Sequence, residues 1–352
     1  MGKRGGGRNV ETISFKCPNC GGELLFDPER QDYHCEYCES RFSEEELSRD
    51  AEQEKETAHE EEEGVVYSCP NCGAQIVTEE TTAATFCFYC HNPVILTGRL
   101  SGEFLPDWII PFKISKEKAL NTFLDWAGKR KFVPRDLFRQ ENLEKISGVY
   151  FPYWMVDYNL KGHTMGRATK VRVWCSRDME YTETTEYELE REGTASFKNY
   201  GQNALRSVHT RLLEGVMPFR PEECVPFKMS YLTGFLAEKR DIERKELEKE
   251  MEERMKREAE QLFENSECGY MSVRRTSEEF QVMDTSWKYA LFPVWVLTYR
   301  EGSRIHCFAM NGQTGEIRGE LPLDRKKLKK SSLIWGAAAF FIVLIGGLVL
   351  CL

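Results

Sequence analysis

Residues 17–38 read CPNCGGELLFDPERQDYHCEYC, and residues 69–90 read CPNCGAQIVTEETTAATFCFYC. Adding 52 to the number of each cysteine in the first stretch gives a cysteine of the second. Each stretch holds two Cys-x-x-Cys pairs, and four thiolates that arrive as two pairs suit tetrahedral Zn²⁺. The sequence therefore predicts two structural zinc ribbons with one ion each, so two Zn²⁺ per chain. The predicted ligands are Cys17, Cys20, Cys35 and Cys38 in the first ribbon and Cys69, Cys72, Cys87 and Cys90 in the second.

Two other uses of these cysteines fit less well. A disulfide framework needs an oxidising compartment, but the N-terminal residues MGKRGGGRNVETIS contain no apolar segment typical of a signal peptide. A thioredoxin-like redox site needs one Cys-x-x-Cys motif that opens a helix, whereas here two matched pairs occur twice. His34 and His91 lie next to ligand cysteines and could replace one, although all four sulfurs are present at each site.

The last twenty residues, Leu333 to Leu352, read LIWGAAAFFIVLIGGLVLCL and contain no charge. As a helix they would span about 30 Å, close to the thickness of a bilayer core. The preceding residues 324–330 read DRKKLKK, and such a basic flank favours the cytoplasmic side. The sequence predicts a transmembrane helix at 331–352 that would anchor the chain in the lipid bilayer of the cell membrane. It predicts a single-pass protein with its N-terminal bulk in the cytoplasm.

The negative charge is concentrated in one segment. The formal net charge is -9, and residues 43–64 hold eleven acidic and two basic residues. This segment has little apolar content and predicts a solvated linker. Residues 65–98 contain no lysine or arginine, so the second ribbon lacks the cations that contact phosphates. Charge thus argues against the main alternative function, a membrane-tethered zinc-ribbon regulator that binds nucleic acid.

The middle of the chain contains two partial repeats. PFKIS at 111–115 recurs as PFKMS at 226–230, and FPYWMVDY at 151–158 recurs as FPVWVLTY at 292–299. Each PFK motif precedes apolar residues with helical spacing, and strand-like alternation follows each FP motif. We expect an α+β body with an antiparallel sheet built from two pseudo-repeated halves, plus a charged helix at about 238–265.

No catalytic constellation is visible. The sequence contains no phosphate-binding loop, dinucleotide fingerprint or metalloprotease motif, and its six histidines show no metal-ligand spacing. A lone cysteine is ordinarily a small buried hydrophobe. We therefore expect a protein that is not an enzyme and has no small-molecule substrate. The lone cysteines are Cys175, Cys224, Cys268, Cys307 and Cys351.

These observations divide the chain into seven segments. They are a flexible N-terminus (1–12), zinc ribbon 1 (13–42), the acidic linker (43–64), zinc ribbon 2 (65–99), the body (100–322), a basic flank (323–330) and the transmembrane helix (331–352).

The two CPNC ribbons, SYLTGFLAEK at 230–239 and FAMNGQTGEIRGELP at 308–322 resemble a known group of proteins. The chain is similar to the YdjG-like, TFIIB-type zinc-ribbon membrane proteins of Gram-positive bacteria, whose genes lie beside those of phage-shock protein A homologues. The resemblance implies a non-enzymatic scaffold or adaptor of the envelope-stress response. It also implies two kinds of partner: a phage-shock-protein-A-like protein, and a second membrane or zinc-ribbon protein.

Overall fold

A computed structural model describes most of the chain. The described residues are 12–51, 66–69, 75–78, 81–86, 93–96, 99–100, 102–139, 146–206, 213, 215–266, 269–301 and 304–350.

Four helices and sixteen strands lie in this part of the chain. The helices are α1 (Glu44–Ala51), α2 (Lys116–Gly128), α3 (Arg244–Asn265) and α4 (Arg325–Leu350). The strands are β1 (Thr12–Ile13), β2 (Leu24–Asp27), β3 (Asp32–Cys35), β4 (Arg41–Phe42), β5 (Val66–Ser68), β6 (Gln75–Val77), β7 (Thr82–Phe86), β8 (Pro93–Leu96), β9 (Trp108–Ile109), β10 (Ser147–Ser176), β11 (Met179–Asn203), β12 (Val225–Pro226), β13 (Leu236–Glu238), β14 (Ser272–Glu301), β15 (Arg304–Asn311) and β16 (Ile317–Gly319).

Eleven of the described strands form one mixed sheet. Its main path runs β1-β8-β7-β13-β10-β14-β15-β16, while β11 pairs with β10, and β9 pairs with both β12 and β14. The β10–β13 and β14–β9 pairs are parallel, and the other pairs are antiparallel. Two small sheets, β2-β3-β4 and β5-β6, contain residues of the two predicted ribbons.

The centre of the large sheet is the antiparallel pair β10 and β14, and it joins the two copies of the FP motif. Phe151 lies directly opposite Phe292, and the backbone around both is buried on both faces of the sheet. The Trp154 indole N–H donates to the Ile242 carbonyl at 3.0 Å. The Trp295 indole donates to the Ile114 carbonyl at 3.0 Å.

These contacts correct the predicted fold class. The α+β body with an antiparallel sheet in two pseudo-repeated halves is wrong: the sheet is mixed, and each tryptophan binds a segment from the opposite half of the sequence. Both FP segments are apolar, and pairing them as neighbouring strands places buried side chains of one copy beside buried side chains of the other.

The second PFK motif also differs from the expectation. The first precedes α2, whose N-cap Ser115 accepts a hydrogen bond from the Lys118 N–H at 3.3 Å. The second precedes only a short 3₁₀ turn, Met229–Leu232, and then the strand β13. Gly234 has φ +90°, a conformation that a helix interior cannot contain, so the chain turns there into the sheet.

Three strands continue beyond the body as a long ribbon, which we call the arm. It consists of residues 157–176 of β10, 179–199 of β11 and 272–286 of β14, paired in the order β11-β10-β14. At about 3.3 Å per residue, the β10 part extends about 65 Å. Most side chains in its outer half are exposed, so the arm has no core of its own there.

The charged helix α3 packs along the base of the arm. Its apolar stripe of Leu247, Met251 and Met255 is buried, and contacts β10 and β14. At its end, Phe263 packs edge-on against Phe280 of β14, with ring centroids 5.2 Å apart. The stripe therefore serves the folding of its own domain.

The prediction of a transmembrane helix at 331–352 is wrong on the described residues, and so is the single-pass membrane localisation that rested on it. None of the helices, as far as the structure describes them, is long and apolar enough to cross a membrane. α4 begins with the basic residues of the flank.

The contact between α3 and the arm needs glycine at two facing positions. Gly162 and Gly193 are cross-strand partners under the Phe263 ring. A Cβ at Gly162 would lie 2.5 Å from Phe280 Cε1 and 2.7 Å from Phe263 Cζ.

We predict that Gly162→Ala lowers the free energy of unfolding by about 1–3 kcal/mol, because two packed rings must move. Urea denaturation followed by circular dichroism measures the change. Gly128→Ala is the control, since a Cβ there meets nothing within 4 Å at the end of α2. Equal stability of Gly162→Ala and the wild type would contradict this packing.

Candidate metal centre

Cys17, Cys20, Cys35 and Cys38 come together at one point of the first ribbon. Their sulfur atoms all lie within 4.8 Å of one another. The Cys17–Cys38 and Cys20–Cys35 sulfur pairs are each 3.5 Å apart. Zn–S bonds of about 2.3 Å in a tetrahedron separate the sulfurs by about 3.8 Å, so the donor set fits Zn²⁺. The four cysteines are free, which excludes a disulfide between them in this structure.

Two equivalent turns hold these cysteines. In the first, the Cys17 N–H donates to the Gly22 carbonyl at 2.7 Å, and the Gly21 N–H donates back to the Cys17 carbonyl at 2.8 Å. In the second, the Cys35 N–H donates to the Ser40 carbonyl, and the Glu39 N–H donates to the Cys35 carbonyl, both at 2.9 Å.

Each turn passes through a left-handed residue, Gly21 at φ +72° and Glu39 at φ +58°. This geometry aims both cysteine side chains of a pair towards the same point.

The surroundings of the sulfurs affect their protonation. The hydrogen bond with the Ser40 side chain, followed by backbone and cysteine contacts, lowers the pKa of Cys38 to about 6. The Gly22 N–H lowers the pKa of Cys20, but contacts with Cys38, burial and the other thiols outweigh it and raise that pKa to about 12. Four close sulfurs therefore resist full ionisation by themselves, and a bound cation would supply the compensating charge.

The second predicted centre lies largely outside the described residues. Cys69 is buried, whereas Cys72, Cys87 and Cys90 are not among the residues that the structure describes. His91 also lies outside them. One four-cysteine cluster is therefore present in the described part of the chain, and the second zinc ion stays a prediction.

The metal ribbon is docked on the body. The Phe26 N–H donates to the Thr233 carbonyl at 3.2 Å, and the Phe26 ring packs edge-on against Tyr231. The Gln31 side-chain amide donates to the Phe112 carbonyl at 2.7 Å. Leu24, Phe26 and Tyr33 belong to the same buried cluster as the body core.

Glu44 joins three parts of this interface. Its carboxylate accepts hydrogen bonds from the Tyr33 hydroxyl and from the Ser230 hydroxyl, the latter at 2.8 Å. It also forms an ion pair with Lys228 at 3.0 Å. Ser230 and Lys228 belong to the second PFK motif, so one carboxylate ties the ribbon to that motif.

Comparison with known proteins identifies a relative of this chain by sequence. No protein-family model matches the chain, and no solved structure is significantly similar to it. The chain is 32% identical over 340 residues to a curated protein of Bacillus subtilis (strain 168), named "Uncharacterized protein YdjG". The alignment covers 97% of this chain and 96% of that protein. The chain belongs to the YdjG family.

The role of Glu44 in this YdjG-family chain was missed, because we assigned residues 43–64 to a solvated linker. The structure begins α1 at Glu44, and Ser43 and Glu46 form a capping box. The Ser43 N–H donates to the Glu46 carboxylate at 2.7 Å, and the Glu46 N–H donates to the Ser43 hydroxyl at 3.4 Å. The Ser-x-x-Glu spacing was the signal that could have found the helix.

The lone cysteines are dispersed. Cys175 is exposed near the tip of the arm. Cys224 lies 3.8 Å from the Met155 sulfur, and burial raises its pKa to about 11. Burial also raises the pKa of Cys307. The remaining two, Cys268 and Cys351, are outside the described residues.

We predict that Cys35→Ser lowers the zinc content of the protein by one ion per chain and loosens the two cysteine turns of the first ribbon, because the metal would hold those turns together. Mass spectrometry of metals measures the content. Acidification should release the same ion, since the sulfurs bind as thiolates. Cys175→Ser is the matched control and should keep all metal; unchanged zinc in Cys35→Ser would contradict the site.

We predict that Glu44→Gln loosens the ribbon from the body without removing the metal. The substitution deletes the ion pair to Lys228 and weakens two hydrogen bonds, at a cost of about 1–3 kcal/mol. Hydrogen exchange of the Phe26 amide, which donates across the interface, should become faster. Glu45→Gln, an exposed neighbour on the same helix, should leave it unchanged. Unaltered exchange in Glu44→Gln would show that the carboxylate does not hold the interface.

Proposed function

We propose that this chain is a non-enzymatic scaffold or adaptor that binds a phage-shock-protein-A-like partner in the envelope-stress response. The observation that carries the proposal is the arm: its strands leave the body, and beyond Thr169 it is a two-stranded hairpin, 170–176 of β10 paired with 179–185 of β11, whose side chains are mostly exposed. Ordering such a segment costs conformational entropy that its own exposed side chains do not offset. Contacts with a partner protein would offset this cost by burying the exposed side chains of the arm.

The tip of the arm carries four exposed apolar or aromatic side chains among charged ones. Val173, Trp174, Met179 and Tyr181 are each at least 40% exposed. The Trp174 and Tyr181 rings stack with centroids 5.7 Å apart, and the Arg172 guanidinium lies over Trp174. Rigid aromatic side chains next to arginine are typical of residues that dominate binding energy at protein interfaces.

The docked ribbon supports the same role. Its four cysteines meet at the ends of two backbone turns, and side chains of its separate three-stranded sheet pack into the core of the body. In this proposal Zn²⁺ is structural: it keeps the ribbon folded, and the ribbon stabilises the second PFK motif through Glu44. The choice of a TFIIB-type ribbon and of a phage-shock-protein-A-like partner rests on the family resemblance of the sequence motifs.

We predict that the purified full chain forms a complex with the purified phage-shock protein A homologue of the same organism. Trp174→Ser combined with Tyr181→Ser should weaken binding by about tenfold or more, because the aromatic tip supplies the buried contact area. Biolayer interferometry measures the affinity.

Trp174→Phe combined with Tyr181→Phe is the matched control and should bind nearly as the wild type does, because both positions stay aromatic. Two results would refute the proposal: absence of a complex with the wild type, or equal affinity of the serine variant.

A further inference from the structure

The outer edge of β11 carries an unused row of backbone hydrogen-bonding groups. β11 pairs with β10 on one side, and no described strand pairs with its other side. Every second residue of an antiparallel edge strand directs its N–H and C=O away from its neighbour. Over Glu180–Glu192 this free edge is about 40 Å long.

The edge is protected by negative charge alone. Natural sheets block edge strands with charged side chains, especially lysine, with proline, with bulges or by keeping them short, and the charges of the outer part of β11 are mostly glutamates, which repel an acidic strand but not a basic one. β11 is 25 residues long, contains no proline, and has its one lysine at Lys198 near the base. Its register shift also lies near the base, between Val156 and Tyr158 of β10. The outer part is thus a regular strand that another strand can extend.

The two faces of this strand differ in chemistry. One face presents glutamate at every second position, from Glu186 through Glu188 and Glu190 to Glu192. Glu190 and Glu192 have partners at His163 and Lys161, but remain 69% and 59% exposed.

Glu186 and Glu188 of this row form no ion pair within the described residues. The opposite face presents Tyr181, Tyr187 and Leu189, together with Glu183, Thr185 and Arg191. The two tyrosines are about 40% exposed, with the Tyr187 ring 5.8 Å from the Tyr270 ring, and Arg191 donates to the Ser266 carbonyl.

We propose that the outer edge of β11 binds, by strand addition, an extended segment of a partner protein in which basic and apolar residues alternate. Main-chain hydrogen bonds would supply affinity, and alternate side chains would supply specificity. Basic side chains would lie beside the glutamate row, and apolar ones beside the two tyrosines and Leu189. The segment adds a fourth strand to the arm.

The negative charge of β11 disfavours two other occupants of the edge, a second copy of this chain and a nucleic acid. If two copies of the chain paired through β11 in the antiparallel sense, glutamates would lie opposite glutamates, and like charges in that position are destabilising. A phosphate backbone would meet the same repulsion. A basic strand is the complement of this edge.

The inference rests on the adaptor role of the arm, but it concerns the edge rather than the aromatic tip. Its test needs no phage-shock protein. The probe is a fluorescent nine-residue peptide of alternating lysine and valine, measured by anisotropy against the full chain. A peptide with five lysines followed by four valines has equal composition and charge.

We expect the alternating peptide to bind at least about tenfold more tightly than the block peptide. Glu186→Lys combined with Glu188→Lys should weaken its binding by about tenfold or more. The matched control is Glu279→Lys combined with Asp284→Lys, two exposed acids of β14, the other edge strand of the arm. That control changes net charge equally and should bind much more tightly than the β11 variant. Circular dichroism checks that both variants are folded.

N-methylation tests the backbone directly. Alternate N–H groups of a strand point to opposite edges, so N-methylating either all valines or all lysines should abolish binding in at least one case. Binding that survives both modifications overturns the proposal, as does equal binding of the block peptide or of the β11 variant. A dimer of the chain that excludes the peptide would assign the edge to a second copy, and would also overturn it.

The outcomes separate the two proposals. If the phage-shock homologue fails to bind while the alternating peptide binds to β11, the named partner is wrong and the edge stands. If the homologue binds through Trp174 and Tyr181 while the peptide does not bind, the adaptor role stands and the edge is wrong.

Discussion

The antiparallel pairing of β10 with β14 is the constraint on which the rest of the structure depends. Where Phe151 faces Phe292, both strands are buried on both sides, and each tryptophan of the motif hydrogen-bonds a segment from the other half. β9, β13 and β15 all attach to this pair. The same two strands continue outward as the arm, so the core fixes the direction in which the arm points.

Each long strand is therefore buried at one end, in the body, and exposed at its other end, in the arm. The residues of β10 near Tyr150 belong to the core, whereas those near Trp174 are in contact with solvent. α3 covers the transition, and Gly162 and Gly193 let Phe263 approach the strand backbones. Because β10 and β14 are anchored in the core at one end, the core holds in place the part of each strand that lies in the arm, where few side chains are buried.

The first ribbon, with its four-cysteine cluster, is attached to the body by a second set of contacts. Its four cysteines meet at the ends of two turns, its apolar side chains pack into the body core, and Glu44 binds Ser230 and Lys228. Because that carboxylate belongs to a helix that follows the ribbon in sequence, the ribbon is fixed to the body by side chains as well as by the chain itself. The surface that we propose for binding on the arm is thus separate from the four-cysteine cluster.

The sequence by itself determined the first metal centre, since the spacing of Cys17, Cys20, Cys35 and Cys38 is a local property that two short turns express directly. It also indicated that the FP motif and the PFK motif each occur twice. Only the tertiary structure decided that the FP copies are adjacent strands, that the segment after the second PFK motif is not a helix, and that Glu44 is an anchor. The apolar end of the chain was misread because length and composition alone were taken as evidence of a membrane span. For the FP copies, the segment after the second PFK motif and Glu44, the physical reason is the same: pairing and burial depend on residues distant in sequence, whereas the turns of the four-cysteine ribbon are closed by hydrogen bonds within a few residues.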